Sequence, residues 1–204
     1  MTEHDGEAVH RRRGQRQARL QVISGPMFAG KSEELLRRVR RAQLAGLDLE
    51  VVNHALDVRT GHQLVASHAG LSIPSHALSE AAAITALAGS RSLDLVAIDE
   101  AQFFGAGLVP VVTALVAAGT TVAVAGLSVT LDGRPFDPLP ELMALAEDVT
   151  KLTAVCTVCG DDAVFHQRMA PGVAADVLLP TAEHIGGTGT YQARCRRHFQ
   201  PLLP

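Results

Sequence analysis

The feature that most constrains this chain is a glycine-bounded stretch, Gly25-Pro26-Met27-Phe28-Ala29-Gly30-Lys31-Ser32. It matches the P-loop pattern G-x-x-x-x-G-K-[ST], in which main-chain N–H groups surround phosphate oxygens. Residues 20–24 before it predict a short strand, and residues 33–45 after it carry apolar side chains at near-helical spacing. This context places a helix N-terminus against the phosphates, so it favours nucleotide binding over a chance match at a structural glycine turn.

The loop also supplies two side chains with separate expected tasks. Lys31 is expected to reach the β- and γ-phosphates, and the Ser32 hydroxyl is expected to ligate Mg²⁺. The predicted nucleotide-binding residues are the eight of the loop together with Asp99. They are Gly25, Pro26, Met27, Phe28, Ala29, Gly30, Lys31, Ser32 and Asp99.

A second acidic feature follows the apolar run at 93–98, which predicts a buried parallel strand. Asp99 would hold Mg²⁺, directly or through water, as the second half of a P-loop site. Glu100 would then lie beside the γ-phosphate, where it could activate water, as in an ATPase, or a substrate hydroxyl, as in a kinase. The alternative is an acidic pair that faces solvent.

The rest of residues 20–155 alternates between predicted strands and helices. Strands are expected at 20–24, 49–53, 93–98, 120–125 and 149–155, and helices at 33–45, 79–88, 107–118 and 139–146. Such alternation predicts an α/β fold, with a parallel sheet flanked by helices on both faces. The P-loop, the acidic pair and the loop at 127–138 all follow strands, where ligands of such sheets bind.

The ends of the chain differ in character from this middle part. Residues 1–19 are polar with five arginines, and they predict a disordered tail, with a nucleic-acid or acidic-partner arm as the alternative. The net charge of −3 argues against a large nucleic-acid surface. No apolar run is long enough to cross a bilayer, and no secretory signal is evident.

Residues 156–204 form the predicted second, smaller domain, and they contain all three cysteines of the chain. Cys156 and Cys159 form a C-x-x-C pair, and Cys195 and His198 form a C-x-x-H pair. Three thiolates and one imidazole at this spacing predict a closed, structural zinc site of the zinc-ribbon kind, in a cytosolic protein. His166 and His184 compete for the fourth ligand position, and unligated cysteines are the alternative.

In combination these motifs resemble the type II, or cytosolic-type, thymidine kinase family, from Leu20 to about Phe199. The P-loop continues as Glu-Glu-Leu-Leu-Arg-Arg, and residues 98–104 read Ile-Asp-Glu-Ala-Gln-Phe-Phe. Residues 151–159 resemble that family's entry into its zinc-bearing lasso domain, and residues 185–198 resemble its end.

The resemblance implies transfer of the γ-phosphoryl group of ATP to the 5′-hydroxyl of thymidine or deoxyuridine, with Mg²⁺, in a cytoplasmic homotetramer. It implies that Glu100 is the general base, with Lys31 and Arg59 as the other catalytic residues. The implied partners are ATP and a nucleoside, with no membrane. Substrate binding is implied for a larger set: Met27, Asp57, Phe103, Leu127, Leu131, Phe136, His166, Arg168 and Tyr191.

Several residues near the nucleoside depart from the family pattern. Ser128 replaces an acid, Leu131 replaces an aromatic residue, and His166 stands where the family often has threonine. Asn53-His54 replaces a usual Lys-Pro. The loss of a stacking ring predicts weaker or broader nucleoside selectivity, while the phosphate residues match the family. The alternatives are a P-loop ATPase, a kinase of another nucleoside, and a zinc-ribbon protein that binds nucleic acid.

Overall fold

The computed structural model describes residues 17–57, 64–66, 72–89, 91–169 and 191–201. The predicted tail at 1–19 therefore lies almost wholly outside the described residues. Two individual predictions, on Arg59 and on His184, also fall outside them. In the described part of the chain, no helix combines the length and the apolar character that a membrane crossing needs.

A single parallel sheet forms the centre of the molecule. Its strands are β1 (Leu20–Gly25), β2 (Leu49–His54), β5 (His76–Leu78), β6 (Leu95–Ile98), β7 (Thr121–Leu127) and β8 (Asp148–Lys151). They run in the order β5-β2-β6-β7-β1-β8, and every neighbouring pair is parallel. This arrangement confirms the predicted α/β class.

Helices cover both faces of this sheet. They are α1 (Lys31–Leu44), α2 (Ala81–Gly89), α3 (Leu108–Ala117) and α4 (Leu139–Leu145), with a 3-10 helix at Ala101–Phe104. Successive side chains of a strand point to opposite faces, so Val22 packs with α2, α3 and α4, whereas Ile23 packs with α1. A short antiparallel pair, β3 (Leu64–Ala66) and β4 (Ser72–Pro74), contributes Val65 and Ile73 to the α1 side.

Helix α1 holds the loop that precedes it at a fixed place on the sheet. Its buried residues, Leu35, Leu36, Val39 and Ala42, recur at helical spacing and pack on the sheet. Gly46 ends the helix with φ +68°, as its sequence position predicts, and its N–H donates to the Gln43 carbonyl at 2.9 Å. The N-terminus of α1 therefore points outward at the carboxyl edge of the sheet.

The last part of the chain adds two small antiparallel pairs. They are β9 (Ala154–Val155) with β10 (Asp162–Ala163), and β11 (Phe165–Arg168) with β12 (Tyr191–Arg194). A small core joins them, in which Ala154 and Ala163 pack with Ala193 and with two cysteines, Cys156 and Cys195.

The structure corrects one predicted strand and adds to the central sheet one strand that the sequence did not predict. The single strand at 149–155 is wrong, because β8 pairs with β1 and ends at Lys151, whereas β9 pairs with β10. Leu152 marks the change, since its N–H donates to the Ser24 carbonyl at 2.7 Å before the chain leaves the sheet. Strand β5 was not predicted. It is three residues long and lies at the sheet edge, where few of its side chains need to be apolar.

Candidate active site

Three segments meet at the carboxyl edge of the sheet, because β6, β7 and β1 are consecutive strands. The P-loop follows β1, the Asp99-Glu100 pair follows β6, and the segment from Ser128 follows β7. Ser128 is tied directly to the P-loop, since its N–H donates to the Gly25 carbonyl at 3.1 Å. The structure thus brings together the parts that the sequence placed at strand ends.

The P-loop is shaped by its main chain. Phe28 has φ +67° and Gly30 has φ +80°, so the backbone turns through the left-handed region twice before α1 begins. A Cβ atom at Gly25 would lie 2.7 Å from the Leu152 carbonyl oxygen, so only glycine fits there. Lys31 Nζ donates to the Pro26 carbonyl oxygen at 2.7 Å, which folds the side chain back over the loop. The P-loop main chain therefore curves into a cradle, and the Lys31 ammonium group lies over it.

The two carboxylates beside this cradle are almost fully buried. Asp99 is 4% exposed and Glu100 is 8% exposed. The Glu100 N–H donates to Asp99 Oδ1 at 2.9 Å, and Glu100 has φ +53°. A left-handed conformation is unusual for a residue other than glycine and is found at functional sites. It fixes the direction in which the Glu100 side chain leaves the strand.

Gln102, to which the sequence analysis gave no role, contacts Glu100 directly. Its amide Nε2 donates to Glu100 Oε2, and its Oε1 accepts from the Leu127 N–H at 3.0 Å. Gln102 is only 1% exposed. The sequence did carry a signal for a role of Gln102. It is a polar side chain within the otherwise apolar residues 101–104, and a buried amide requires hydrogen-bond partners.

A small apolar cluster lies next to the loop, and we call it the apolar wall. Its buried members pack together although they come from distant parts of the chain, and Phe28 packs against them. They are Met27, Leu127, Leu131, Phe136 and Tyr191. All five were predicted to contact the substrate, and the structure brings all five together.

Strands β11 and β12 place two more predicted residues near Tyr191. Arg168 lies directly opposite Tyr191 in the pair, and the His166 ring meets the Tyr191 ring edge-on at 6.5 Å. Two guanidinium nitrogens of Arg168, Nε and Nη1, are buried and have no hydrogen-bond partner among the described residues. Buried donors normally have partners, so this pair of N–H groups favours an acceptor supplied by a ligand.

The remaining predicted substrate residues, Asp57 and Phe103, are not members of the apolar wall. The Phe103 ring packs on the His54 ring, with centroids 5.7 Å apart. Asp57 is 7% exposed, and its N–H donates to the His54 carbonyl at 2.9 Å. Both therefore lie at the end of β2, beyond β6 from the P-loop.

The predicted metal ligands converge on one point. The ligand atoms of Cys156, Cys159, Cys195 and His198 all lie within 4.8 Å of one another. Cys159 Sγ and Cys195 Sγ are 3.7 Å apart, and His198 Nδ1 is 3.3 Å from Cys195 Sγ. Two sulfurs of a tetrahedral zinc site with bonds of about 2.3 Å lie roughly 3.8 Å apart, so this set fits zinc.

The thiols of this set differ in pKa. Burial opposes ionisation of Cys156, but hydrogen bonds from the backbone of Cys195, Val158 and Cys159 outweigh it and lower the pKa of the thiol to about 5. A hydrogen bond from the Asp161 backbone favours ionisation of Cys159, but burial and the neighbouring thiols outweigh it and raise the pKa of that thiol to about 11. A thiolate is the form that binds zinc. Within the described residues His198 is the imidazole of the set, and His166, which is 1% exposed, is not among its members.

The comparisons by sequence agree on one family. The family model described as "Thymidine kinase" matches residues 18–199. The thymidine kinase of Halobacterium salinarum is 45% identical over 182 residues, which are 87% of this chain and 91% of that protein. The thymidine kinase of Deinococcus deserti is 44% identical over 188 residues, which are 88% of this chain and 93% of that protein.

Among solved structures, the replication initiator DnaA bound to AMPPCP and single-stranded DNA matches with a TM-score of 0.41 and 13% identity. That match covers 74% of this chain and 46% of the other.

Proposed function

This chain belongs to the thymidine kinase family, and from that premise we propose that it transfers the γ-phosphoryl group of ATP to the 5′-hydroxyl of thymidine or deoxyuridine. The observation that carries this proposal is the buried Asp99-Glu100 pair at the edge where the P-loop lies. A carboxylate in that place can accept a proton from an alcohol that attacks the γ-phosphorus. The family prediction made from the motifs is confirmed.

The phosphate-binding residues act mainly by position and charge. The main-chain N–H groups of residues 25–32 and the N-terminus of α1 would hold the phosphate oxygens, and Lys31 would exchange its Pro26 contact for the β- and γ-phosphates. Ser32 and Asp99 would hold Mg²⁺, which when bound neutralises charge on the phosphates. The proposal also includes Arg59 as a catalytic residue near the phosphate and the sugar.

Glu100 then does the proton chemistry. Its carboxylate takes the proton of the 5′-hydroxyl as the 5′-oxygen bonds to the γ-phosphorus. The bond from that phosphorus to the bridging oxygen of ADP breaks, and ADP leaves with the electron pair. No water is needed, and a site closed against water favours the nucleoside as acceptor.

The nucleoside would lie against the apolar wall. Leu131 provides an aliphatic side chain there instead of a ring, so we propose weaker or broader selectivity than in relatives with an aromatic residue. His166 and the unpaired donors of Arg168 would supply polar contacts on the β11–β12 side. Asp57 and Phe103 would contact the sugar end, with Met27 between the base and the phosphates.

The Cys156, Cys159, Cys195 and His198 set would hold a structural zinc ion. It would give residues 156–204 the stability that their small alanine-rich core does not provide alone. The proposed division is a kinase domain at 20–155 and a zinc-binding lasso domain at 156–204. The homotetramer is proposed from the family. A cytoplasmic location is proposed because all three cysteines belong to one metal set and none is left for a disulfide.

One experiment tests the proposal. Transfer of labelled γ-phosphate from ATP is measured across thymidine, deoxyuridine and other nucleosides, with zinc content measured on the same sample. We expect labelled nucleoside monophosphate, highest with thymidine or deoxyuridine, and about one zinc per chain. Release of inorganic phosphate at the same rate without nucleoside would contradict the kinase assignment and support the ATPase alternative.

A further inference from the structure

The 3-10 helix after Glu100 carries a buried amide that joins two parts of the site. The Gln102 side chain contacts the Glu100 carboxylate through Nε2 and the Leu127 main chain through Oε1. The amide orientation follows from chemistry, because the Leu127 N–H can only donate and must face the oxygen of Gln102. The NH₂ group must then face Glu100.

The surrounding residues hold this amide closely. Gly126 lies beside it, and a Cβ atom at Gly126 would come within 3.0 Å of Gln102 Oε1 and 2.8 Å of Leu139 Cδ2. Gln102 itself is 1% exposed, so water does not compete for its hydrogen bonds. An amide fixed at both ends in a dry site restrains the groups to which it bonds.

The two groups joined by Gln102 belong to different parts of the reaction. Glu100 is the proposed proton acceptor, and Leu127 is a member of the apolar wall that would contact the nucleoside. The Glu100 side chain has three rotatable bonds between its backbone and the oxygens that must reach the substrate, and the left-handed φ of Glu100 fixes none of them. The hydrogen bond from Gln102 restrains the position of the carboxylate.

We propose that Gln102 is a positioning residue that aligns the Glu100 carboxylate for proton transfer and ties that alignment to the apolar wall through Leu127. This inference rests on the proposed role of Glu100 as the base. The side-chain partners of Gln102 are Glu100 and the Leu127 N–H, so in this proposal Gln102 acts through Glu100. Its removal therefore lowers the rate of the chemical step and leaves binding of ATP nearly intact.

The test is a double-mutant cycle between Glu100→Gln and Gln102→Leu, with kcat and the ATP KM measured for all four proteins. In the wild-type background Gln102→Leu should lower kcat roughly 10- to 100-fold, as expected for a misplaced catalytic group. In the Glu100→Gln background it should have an effect of about twofold or less, because the group that it positions has gone. The ATP KM should stay within about twofold throughout.

Two further variants distinguish the loss of positioning from a loss of folding. Gln102→Glu keeps the shape of the side chain and an acceptor for the Leu127 N–H but directs a carboxylate oxygen at Glu100, so it should lower kcat at least as much as Gln102→Leu. Thr120→Val is the matched control, since Thr120 is buried at the opposite end of β7 and donates to the Leu93 carbonyl at 3.0 Å. It should lower the melting temperature without a change in kcat above about twofold.

The outcomes distinguish a failure of the positioning role of Gln102 from a failure of the proposed role of Glu100 as the base. If Gln102→Leu and Gln102→Glu lower kcat by equal factors in both backgrounds, or by no more than Thr120→Val does, Gln102 has no positioning role. If Glu100→Gln turns over at the wild-type rate, the proposed function of Glu100 fails instead, and the inference fails with it.

Discussion

The region proposed to bind phosphate, the phosphate-facing region, takes its shape from main chain, whereas the region proposed to bind the nucleoside, the nucleoside-facing region, is built from side chains. The first is two short contiguous stretches, residues 25–32 and 99–100, whose shape depends on positive φ angles and on a glycine against the Leu152 carbonyl. The second is the apolar wall, whose members come from three distant segments. In this proposal phosphate binding depends on local backbone geometry, nucleoside selectivity depends on long-range packing, and Gln102 joins the two through Glu100 and Leu127.

The largest expected effect tests the chemistry of the phosphate-facing region. Glu100→Gln keeps the shape of the side chain but removes the proton acceptor, so kcat should fall roughly 100- to 10,000-fold. The ATP dissociation constant should change by about twofold or less, because the P-loop is untouched. Stopped-flow turnover and equilibrium binding of ATP measure the two quantities. A kcat near the wild-type value would remove Glu100 from the mechanism.

The second-largest effect is expected from disruption of the zinc site, which should impair the nucleoside-facing region more than the phosphate-facing region. Cys195 directly follows β12, which carries Tyr191, so Cys195→Ser should release zinc from about one ion per chain to nearly none. The KM for thymidine should then rise much more than the KM for ATP. Val158→Ser is the control, since Val158 is exposed between two of the ligands. Equal losses for both substrates would mean that the two regions are not separable.

Third, Gly25→Ala tests whether main-chain packing shapes the P-loop. The new Cβ atom would meet the Leu152 carbonyl oxygen at 2.7 Å. We expect a loss of about 1–3 kcal/mol of stability and a higher KM for ATP. The matched control is Gly89→Ala at the end of α2, where a Cβ atom meets no atom within 4 Å. Thermal unfolding of the two variants measures the difference, and similar melting temperatures would contradict the expectation.

Fourth, Leu131→Phe adds a ring to the apolar wall. A base–aromatic stack at the low end of its range contributes about 1 kcal/mol, or roughly fivefold in the KM for thymidine. Preference for thymidine over other nucleosides should increase, while the KM for ATP should not change. Leu145→Phe, on the exposed side of α4, controls for added bulk. An unchanged preference would mean that Leu131 does not contact the base.

The smallest effect concerns α1 behind the P-loop. The hydrogen bond from Arg37 is the largest cause that lowers the pKa of Glu34 to about 2, with Arg38 as a second partner and burial acting against it. A carboxylate with a lowered pKa stabilises the fold above its unfolded pKa and loses that contribution as the pH falls through its folded pKa.

Glu34→Gln should therefore cost less than about 1 kcal/mol at neutral pH. The difference in melting temperature between the wild-type protein and this variant should shrink as the pH falls from about 4.5 towards 2. A difference that is the same at both ends of this range would contradict the assignment.

The same contrast explains what the sequence could and could not predict. The P-loop, the acidic pair and all four metal ligands lie in short motifs with fixed spacing, and the structure brings each set together. The change of partner at Leu152 was not predictable, because residues 148–155 contain no glycine or proline that would mark a break between β8 and β9. Gln102 was missed for a related reason, since Leu127 comes within hydrogen-bond distance of it only when β6 and β7 lie side by side.

The most direct test of the central claim is one distance in a crystal structure with thymidine and a non-hydrolysable ATP analogue bound. The account predicts a Glu100 carboxylate oxygen at about 2.6–3.2 Å from the 5′-oxygen of thymidine. That oxygen should also lie in line with the γ-phosphorus. A Glu100 carboxylate turned away from the nucleoside, with another group at hydrogen-bond distance from the 5′-oxygen, would contradict it.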